Sequence, residues 1–387
     1  MNLTRRVFLS MGLASVFLSA CMRRLGNVLA PFAVSDRTVN PERVVRVYNN
    51  KLNTWDFTTG IWTDYNDFDE FYKTTIFGLK KLTNTATVQE AWESILTGYQ
   101  PGHKITIKLN HNNISVGNDP ARPNTSLAMA AAVVKSLVED LGVQQSNITV
   151  YDVVRNTGTW WRTPWATMFP GVAFVRQATV VWDTSNPVHF PNGADLYLPM
   201  NLVNADHLLN LSLLKGHGGY ATGAMKNHFG TVNRPTSLHT DRQRQIAYLN
   251  WIPQIKDKER LCICEAHMLG YPGQADYYAP AQFTELYPSG KFGSLLLSKS
   301  SFYLDNVMAD VVDFEALEEG DGYLDNTFLD IAENEYGLGY RDVPALVSGK
   351  FSVYDLSYTS LDYSSFDVNE RVKLPDEPNI SVGHEEL

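Results

Sequence analysis

The sequence predicts an α/β fold: a mainly parallel sheet with helices on both faces, an aromatic-rich N-terminal insertion and an irregular C-terminal tail. Residues 104–109 alternate polar and apolar side chains, as a strand does. Apolar residues then recur at helical spacing over 127–141, and Gly142 supplies a helix stop. Residues 148–153 return as a strand. Two strands joined by a crossover helix form a parallel β-α-β unit with a right-handed connection.

The other elements follow from the same patterns along the chain. Residues 49–69 are crowded with aromatic side chains between small polar ones, so we expect an ordered loop packed by aromatic rings. Further strands are predicted at 44–48, 179–182, 207–213, 261–264 and 294–297. Further helices are predicted at 68–82, 88–96, 221–229, 240–251 and 304–317. Residues 351–387 lack helical periodicity and are expected to form an irregular extension.

The first twenty residues have the order of an export signal. Arg5 and Arg6 precede an uncharged stretch, residues 11–20, which is shorter than the roughly 20 apolar residues of a spanning helix. The paired arginines resemble a twin-arginine signal, which a receptor for folded cargo reads. An ordinary signal peptide containing two arginines is the alternative. We expect residues 1–20 to be removed.

A lipid anchor is predicted at Cys21, because Leu18-Ser19-Ala20-Cys21 resembles a bacterial lipobox. Two or three acyl chains bury many methylenes at about 0.8 kcal/mol each, enough for stable attachment. Residues 21–39 would then be a linker. The expected partners are the twin-arginine export machinery, lipoprotein-processing enzymes and a membrane. Met22 is not the aspartate of a retention signal, which favours the outer membrane, where one exists, on the non-cytoplasmic side of the envelope.

Charge argues against nucleic acid as a partner. The full chain carries a formal charge of −10, and loss of residues 1–20 removes two arginines and no acids, leaving −12. Nucleic-acid-binding proteins instead present basic surfaces to phosphates.

The two remaining cysteines are predicted to be reduced and buried. Cys262 and Cys264 lie two residues apart in an apolar strand, which separates their Cα atoms by about 7 Å. That distance is at or beyond the limit for a disulfide. A soft metal is the alternative, but no second cysteine pair completes a four-sulfur set.

Several stretches resemble one family, the domain of unknown function 362. Residues 101–110, PGHKITIKLN, resemble its pGdkVlIKPN opening, and residues 211–230 resemble its N-x-PkLKtH…tGa-KN-fG core. Residues 261–266 and 301–307 are similar to its later strand and helix start. The resemblance covers about 40–318, so residues 40–350 are expected to form the family's α/β domain. Leu109 stands where the family usually has proline.

The resemblance implies neither a reaction nor an iron–sulfur cluster. The family has no assigned reaction, and the ferredoxin-like cysteine clusters of some members are absent here. Fold resemblance alone does not assign chemistry.

A glycine-rich turn between residues 213 and 230 contains the main candidate site. A strand runs into this turn and then a helix, which is where open α/β sheets bind ligands and where helix N–H groups receive anions. His217 could be a general base or metal ligand, Lys226 a cation for a carboxylate or phosphate, and Asn227 an orienting amide. The alternative is a structural hydrogen bond for His217 and a solvated Lys226.

Lys108 and Asn110 end a neighbouring strand and are expected to converge on the same pocket. Lys108 and Lys226 should then reach one small anion and lower each other's pKa.

A single divalent metal ion is a further candidate cofactor. Glu265 and His267 would face the same way on a strand and could share a metal with His217, and His239 is a fourth candidate. Three such ligands suit zinc or iron with an open position. Structural roles are predicted for the remaining candidates, with a core or surface position for His207 and His228 and a cap or first-turn carboxylate of its own helix for Asp305.

Two functions remain open at this point. The first is an envelope enzyme, metal-assisted or redox-associated, that acts on a small anionic substrate. The second is a non-catalytic lipoprotein that binds a solute or assembles with a membrane complex. Aromatic residues in 55–72 and 160–165 could supply the contact surface, or could simply pack the loops.

Overall fold

The structure is a computed structural model that describes residues 43–112, 120–216, 220–270, 290–318, 323–341 and 351–355. Arg5, Arg6, Cys21 and His217 lie outside these ranges. Within them, no helix is both long and apolar enough to cross a membrane.

A single large sheet organises the fold. The strands are β1 (Val44–Tyr48), β2 (Ile105–Lys108), β3 (Ile148–Asp152), β4 (Ala173–Arg176), β5 (Val188–His189), β6 (Asp195–Leu196), β7 (His207–Gly216), β8 (Ala221–Thr222), β9 (Glu259–Gly270), β10 (Ser294–Ser298) and β11 (Phe351–Asp355). Their order is β11-β1-β10-β9-β7-β2-β3-β4, with β8 on β7 and β5 paired only with β6. Neighbours from β9 to β4 are parallel, as are β1 and β11, whereas β10 is antiparallel to both its neighbours. The predicted mainly parallel sheet is confirmed.

Helices cover both faces of this sheet, as predicted. They are α1 (Phe68–Thr83), α2 (Val88–Ile95), α3 (Leu127–Glu139), α4 (Thr159–Met168), α5 (Met200–Val203), α6 (Ala224–Asn227), α7 (Arg242–Trp251), α8 (Pro253–Lys256), α9 (Ser301–Glu318) and α10 (Thr327–Asn334). Helices α1 to α4 contribute to one apolar core, and helices α6 to α10 contribute to a second core. The two sets therefore lie on opposite faces of the sheet.

Local sequence explains the bounds of the crossover helix α3. The Ser126 hydroxyl accepts the Met129 N–H at 3.0 Å and caps the first turn. Gly142 adopts a φ of 80°, a left-handed conformation that glycine reaches without a steric penalty, and the chain turns there. The predicted stop at Gly142 is confirmed, although α3 itself ends at Glu139.

Two predicted elements are wrong. No strand forms at 179–182; the strand is β4, and a turn follows it in which the Thr179 hydroxyl accepts the Arg176 N–H at 3.1 Å. The helix predicted at 221–229 is reduced to the four residues of α6 between β8 and a 3₁₀ turn at His228–Thr231. The extension predicted to be irregular from residue 351 begins instead with β11, because residues 351–355 pair in parallel with β1. Residues 356–387 lie outside the described ranges.

The cysteine and aromatic predictions are confirmed. Cys262 and Cys264 are free and buried. The loop before α1 is packed by aromatic rings: Trp55 and Trp62 are buried against Met268, with partly buried aromatic neighbours.

Candidate functional site

The chain changes direction in the sheet between β2 and β7. From β2 it proceeds outward to β3 and β4, whereas from β7 it proceeds the opposite way to β9. The helix after β2, α3, and the helices after β7, α6 and α7, lie in different cores. The elements that follow the two strands therefore diverge at the carboxyl ends of β2 and β7, the position at which open α/β sheets usually bind ligands. We call this position the crevice.

Lys108, at the end of β2, is fully buried and fully hydrogen-bonded. Its Nζ lies 3.0 Å from Asp152 Oδ2 and 3.2 Å from Asn227 Oδ1, and it also donates to the Leu109 carbonyl. An ammonium group has three N–H donors, so these acceptors use all of them. Burial lowers the pKa of Lys108, while Asp152 opposes that change. Lys108 therefore holds its neighbours in place and has no donor left for a ligand.

Asp152, at the end of β3, is the carboxylate partner of Lys108 in a buried ion pair. Burial alone would raise its pKa, but Lys108 and His111 together more than offset that effect and the pKa is lowered. The carboxylate also accepts the His111 N–H at 2.9 Å. Gly230 packs directly against the ion pair, because a Cβ there would lie 2.6 Å from Lys108 Nζ. The glycine that ends the family motif thus allows the backbone to approach a buried salt bridge.

Asn227 uses its side-chain amide for hydrogen bonds within the protein. Its Nδ2 donates to Asn210 Oδ1 at 2.8 Å and to the Leu211 carbonyl at 3.1 Å, while its Oδ1 receives Lys108. The amide therefore ties α6 to both β2 and β7.

The N-terminus of α6 is occupied by a carboxylate of the protein. Asp305 accepts the N–H groups of Ala224 at 2.5 Å and Met225 at 2.9 Å. Burial raises the pKa of Asp305 to about 7, against these hydrogen bonds. A Cβ on Gly223 would lie 2.1 Å from Asp305 Oδ1, so glycine is required there. The predicted role of Asp305 as a cap or first-turn carboxylate of its own helix is wrong, because Asp305 lies beyond the first turn of α9 and its carboxylate caps α6.

Lys215 and Lys226 are the buried cations left with capacity for a ligand. Lys215, at the end of β7, has one polar contact among the described residues, with Asn110 Oδ1 at 3.4 Å. Lys226 lies over the Tyr220 ring at 4.5 Å, and no described acceptor contacts its Nζ. Lys215 is 4% exposed and Lys226 is 8% exposed. Asn110 therefore contacts Lys215 across the neighbouring ends of β2 and β7.

Burial and neighbouring cations together perturb both lysines. Burial lowers the pKa of Lys215 to about 8, with Asp152 raising it and Lys108 lowering it. Burial, Lys215 and Arg242 hold the pKa of Lys226 well below its usual value. We expected Lys108 to lower the pKa of Lys226; the lysine that does so is Lys215.

Three participants were missed by the sequence reasoning. Asp152 and Lys215 end strands beside β2, so the signal that identified Lys108 could have found them. Arg242 lies over the Tyr220 ring at 4.5 Å and belongs to no recognisable sequence motif. Hydrogen bonds from Thr327 lower the pKa of Asp325, and the charge of Arg242 adds to that effect. The position of Arg242 depends on tertiary packing.

The candidate metal ligands are only partly brought together. Glu265 and His267 face the same way, as predicted, with Oε1 and Nδ1 3.4 Å apart. His239 is exposed, and its ring packs on Phe229. Partial burial lowers the pKa of His239, and the charges of Lys226 and Arg242 lower it further. In the ranges that the structure describes, no three His, Cys, Asp or Glu side chains are placed to hold a metal ion. His217 lies outside those ranges.

Glu265 and His267 form a buried dyad at the end of β9. Glu265 Oε2 accepts the Ser126 N–H at 2.8 Å, while among the described residues Glu265 Oε1 and both His267 ring nitrogens have no hydrogen-bond partner. Burial raises the pKa of Glu265 to about 7. Burial and then Lys291 lower the pKa of His267 to about 3. His207 and His228 are also buried, as one of the predicted alternatives had it.

These features define an α/β protein with a lysine-rich crevice at the switch point of its sheet. The family model of the domain of unknown function DUF362 matches residues 105–314, just over half of the chain. The chain belongs to that family. The match begins with β2 and ends within α9, so it includes the whole crevice described above. Among curated proteins, none matches the chain.

Proposed function

We propose that this protein is a lipid-anchored envelope protein that binds a small anionic ligand in the crevice between β2 and β7. Lys215 and Lys226 support this most directly, because both are buried and neither contacts a carboxylate among the described residues. An unpaired buried ammonium costs several kcal/mol, which a ligand anion would offset. Lys108 differs from these two lysines, because it forms an ion pair with Asp152.

We further propose that the ligand is a substrate. Lys215 has a pKa of about 8, so it can exchange a proton near neutral pH, as an acid–base catalyst must. Export by the twin-arginine route would deliver a protein already folded around any metal or redox cofactor. A non-catalytic solute-binding or complex-assembly role uses the same crevice and is distinguished by the absence of turnover. Elemental analysis of natively exported protein tests the metal.

Ligand binding is tested by equilibrium dialysis with phosphate and with lactate. Lys215→Met and Lys226→Met each remove a donor that a bound anion would hold in its protonated form, worth about 1.5–3 kcal/mol, so affinity should fall at least about tenfold. Lys135→Met is the matched control, because Lys135 also lies over a tyrosine ring, Tyr72, at 4.4 Å but is 39% exposed. Wild-type affinity in both crevice variants would contradict the proposed site.

Export is tested separately by cell fractionation. Replacing Arg5 and Arg6 by lysine should leave precursor in the cytoplasm, because the receptor reads the arginine pair. Cys21→Ala should prevent lipidation and leave folding intact. Normal export and lipidation of the double-lysine precursor would rule out the twin-arginine route.

A further inference from the structure

Lys226 differs from the other buried lysines of the described ranges in what surrounds its amine. Lys108 donates to three acceptors and Lys215 approaches Asn110. Lys226 has a tyrosine ring beneath it and no described acceptor within hydrogen-bond distance. It also retains 8% exposure, whereas Lys108 is 0% exposed. The amine of Lys226 is therefore largely desolvated, but it remains accessible and has no hydrogen bond to a described residue.

Cations lie next to Lys226 where an anion would be expected. Arg242 shares the Tyr220 ring with it, each at 4.5 Å from the ring centroid. Lys215 is close enough for its charge to disfavour a second ammonium group. A lysine that is desolvated and beside another cation is held as a neutral amine, which is the nucleophilic form.

We propose that Lys226 is a nucleophile that condenses with the carbonyl group of an oxo acid, whose carboxylate is held by Lys215 and Arg242. This inference rests on the proposed anion-binding function and narrows its ligand to one class. An oxo acid fits because it presents an anion for the two cations and an electrophilic carbon for the neutral amine.

The condensation balances without any oxidant or reductant. The Lys226 lone pair forms a C–N bond to the carbonyl carbon, and the carbonyl π electrons become a hydroxyl group after proton transfer from the amine. Lys215 donates a proton to that hydroxyl, which leaves as water while the nitrogen lone pair forms the C=N bond. Addition of water reverses the sequence and regenerates both lysines.

The experiment is reductive trapping on the full-length purified protein. Pyruvate is added at neutral pH with cyanoborohydride, which delivers hydride to an imine carbon, and labelled lysines are located by peptide mass spectrometry. Lys226 should be labelled at least about tenfold faster than the exposed Lys135, because desolvation favours the neutral, nucleophilic amine at Lys226. Lys215→Met should slow labelling of Lys226 at low pyruvate concentration, because the carboxylate loses one of its cations. Lys226→Met should abolish labelling in the crevice.

Lactate separates this inference from the proposed function, since it carries the carboxylate without the carbonyl. If lactate or phosphate binds but Lys226 is labelled no faster than Lys135, the nucleophile assignment is wrong and the anion site stands. If neither anion binds and Lys226 is not selectively labelled, both fail. Selective labelling of Lys226 that depends on Lys215 supports both.

Discussion

Glu265→Gln should stabilise the folded protein in alkaline solution and have little effect in acid. The Glu265 side chain is buried, and burial raises its pKa from 4.5 to about 7. Between these values the folded protein keeps a proton that the unfolded chain has released. Stability therefore falls as pH rises through this window, because the folded state must bury a carboxylate.

The size of the effect follows from the shift in pKa. A rise from 4.5 to about 7, at about 1.4 kcal/mol per unit, corresponds to a loss of about 3 kcal/mol above pH 7. Glutamine does not ionise, and its carbonyl oxygen can still accept the Ser126 N–H. The variant should therefore exceed the wild type by about 3 kcal/mol near pH 8 and by about zero near pH 4.

Urea unfolding, followed by tryptophan fluorescence across that pH range, measures the difference. Titration of His267 occurs in both proteins and cancels in the comparison. Glu70→Gln is a control of opposite sign. Burial alone would raise the pKa of Glu70, but hydrogen bonds from Asn49 and Lys73 and the charges of nearby lysines together lower it. Its stabilising contribution is present at high pH and is lost as pH falls. A Glu265→Gln advantage that did not change between pH 4 and pH 8 would refute the reasoning.

Three further outcomes are expected. Asp152→Asn leaves Lys108 buried without a counter-charge and should cost about 3–5 kcal/mol in urea unfolding, with part of the loss recovered when Lys108→Met is added; a loss below about 1 kcal/mol would contradict the buried ion pair. Gly223→Ala places a methyl group against the cap on α6 and should cost about 1–3 kcal/mol, measured the same way; unchanged stability would show that the cap is not held rigidly. Cys262 and Cys264 should react slowly with a thiol reagent in the native protein and yield two equivalents on denaturation without reductant, whereas a yield of none would indicate a disulfide.

Elements with a strong local pattern were predictable from the sequence. The alternation in β2, the helical period of α3 and the stop at Gly142 each depend on residues adjacent in the chain. The prediction of a strand at 179–182 was wrong, although its apolar residues fit the strand pattern as well as those of β4 do. The strand that pairs with β3 is β4, and the turn after β4 carries residues 179–182 away from the sheet. Edge pairing of this kind is decided between distant segments.

The site was predictable in location and less so in roles. Strand ends and a glycine turn correctly indicated that Lys108, Asn110 and Asn227 converge. Sequence could not show that Asp152, 44 residues away, saturates Lys108. It also could not show that Asp305 occupies the N–H groups expected to bind a ligand.

The sequence by itself determined the α/β class, the family and the edge of the sheet where polar residues gather, because these depend on periodicity and short motifs. Only the tertiary structure decided which buried lysines have a carboxylate partner and which do not. Lys108, Lys215 and Lys226 are the same residue type, and all three are buried. What distinguishes them is the presence or absence of a partner brought from another strand or helix, and desolvation makes that difference large.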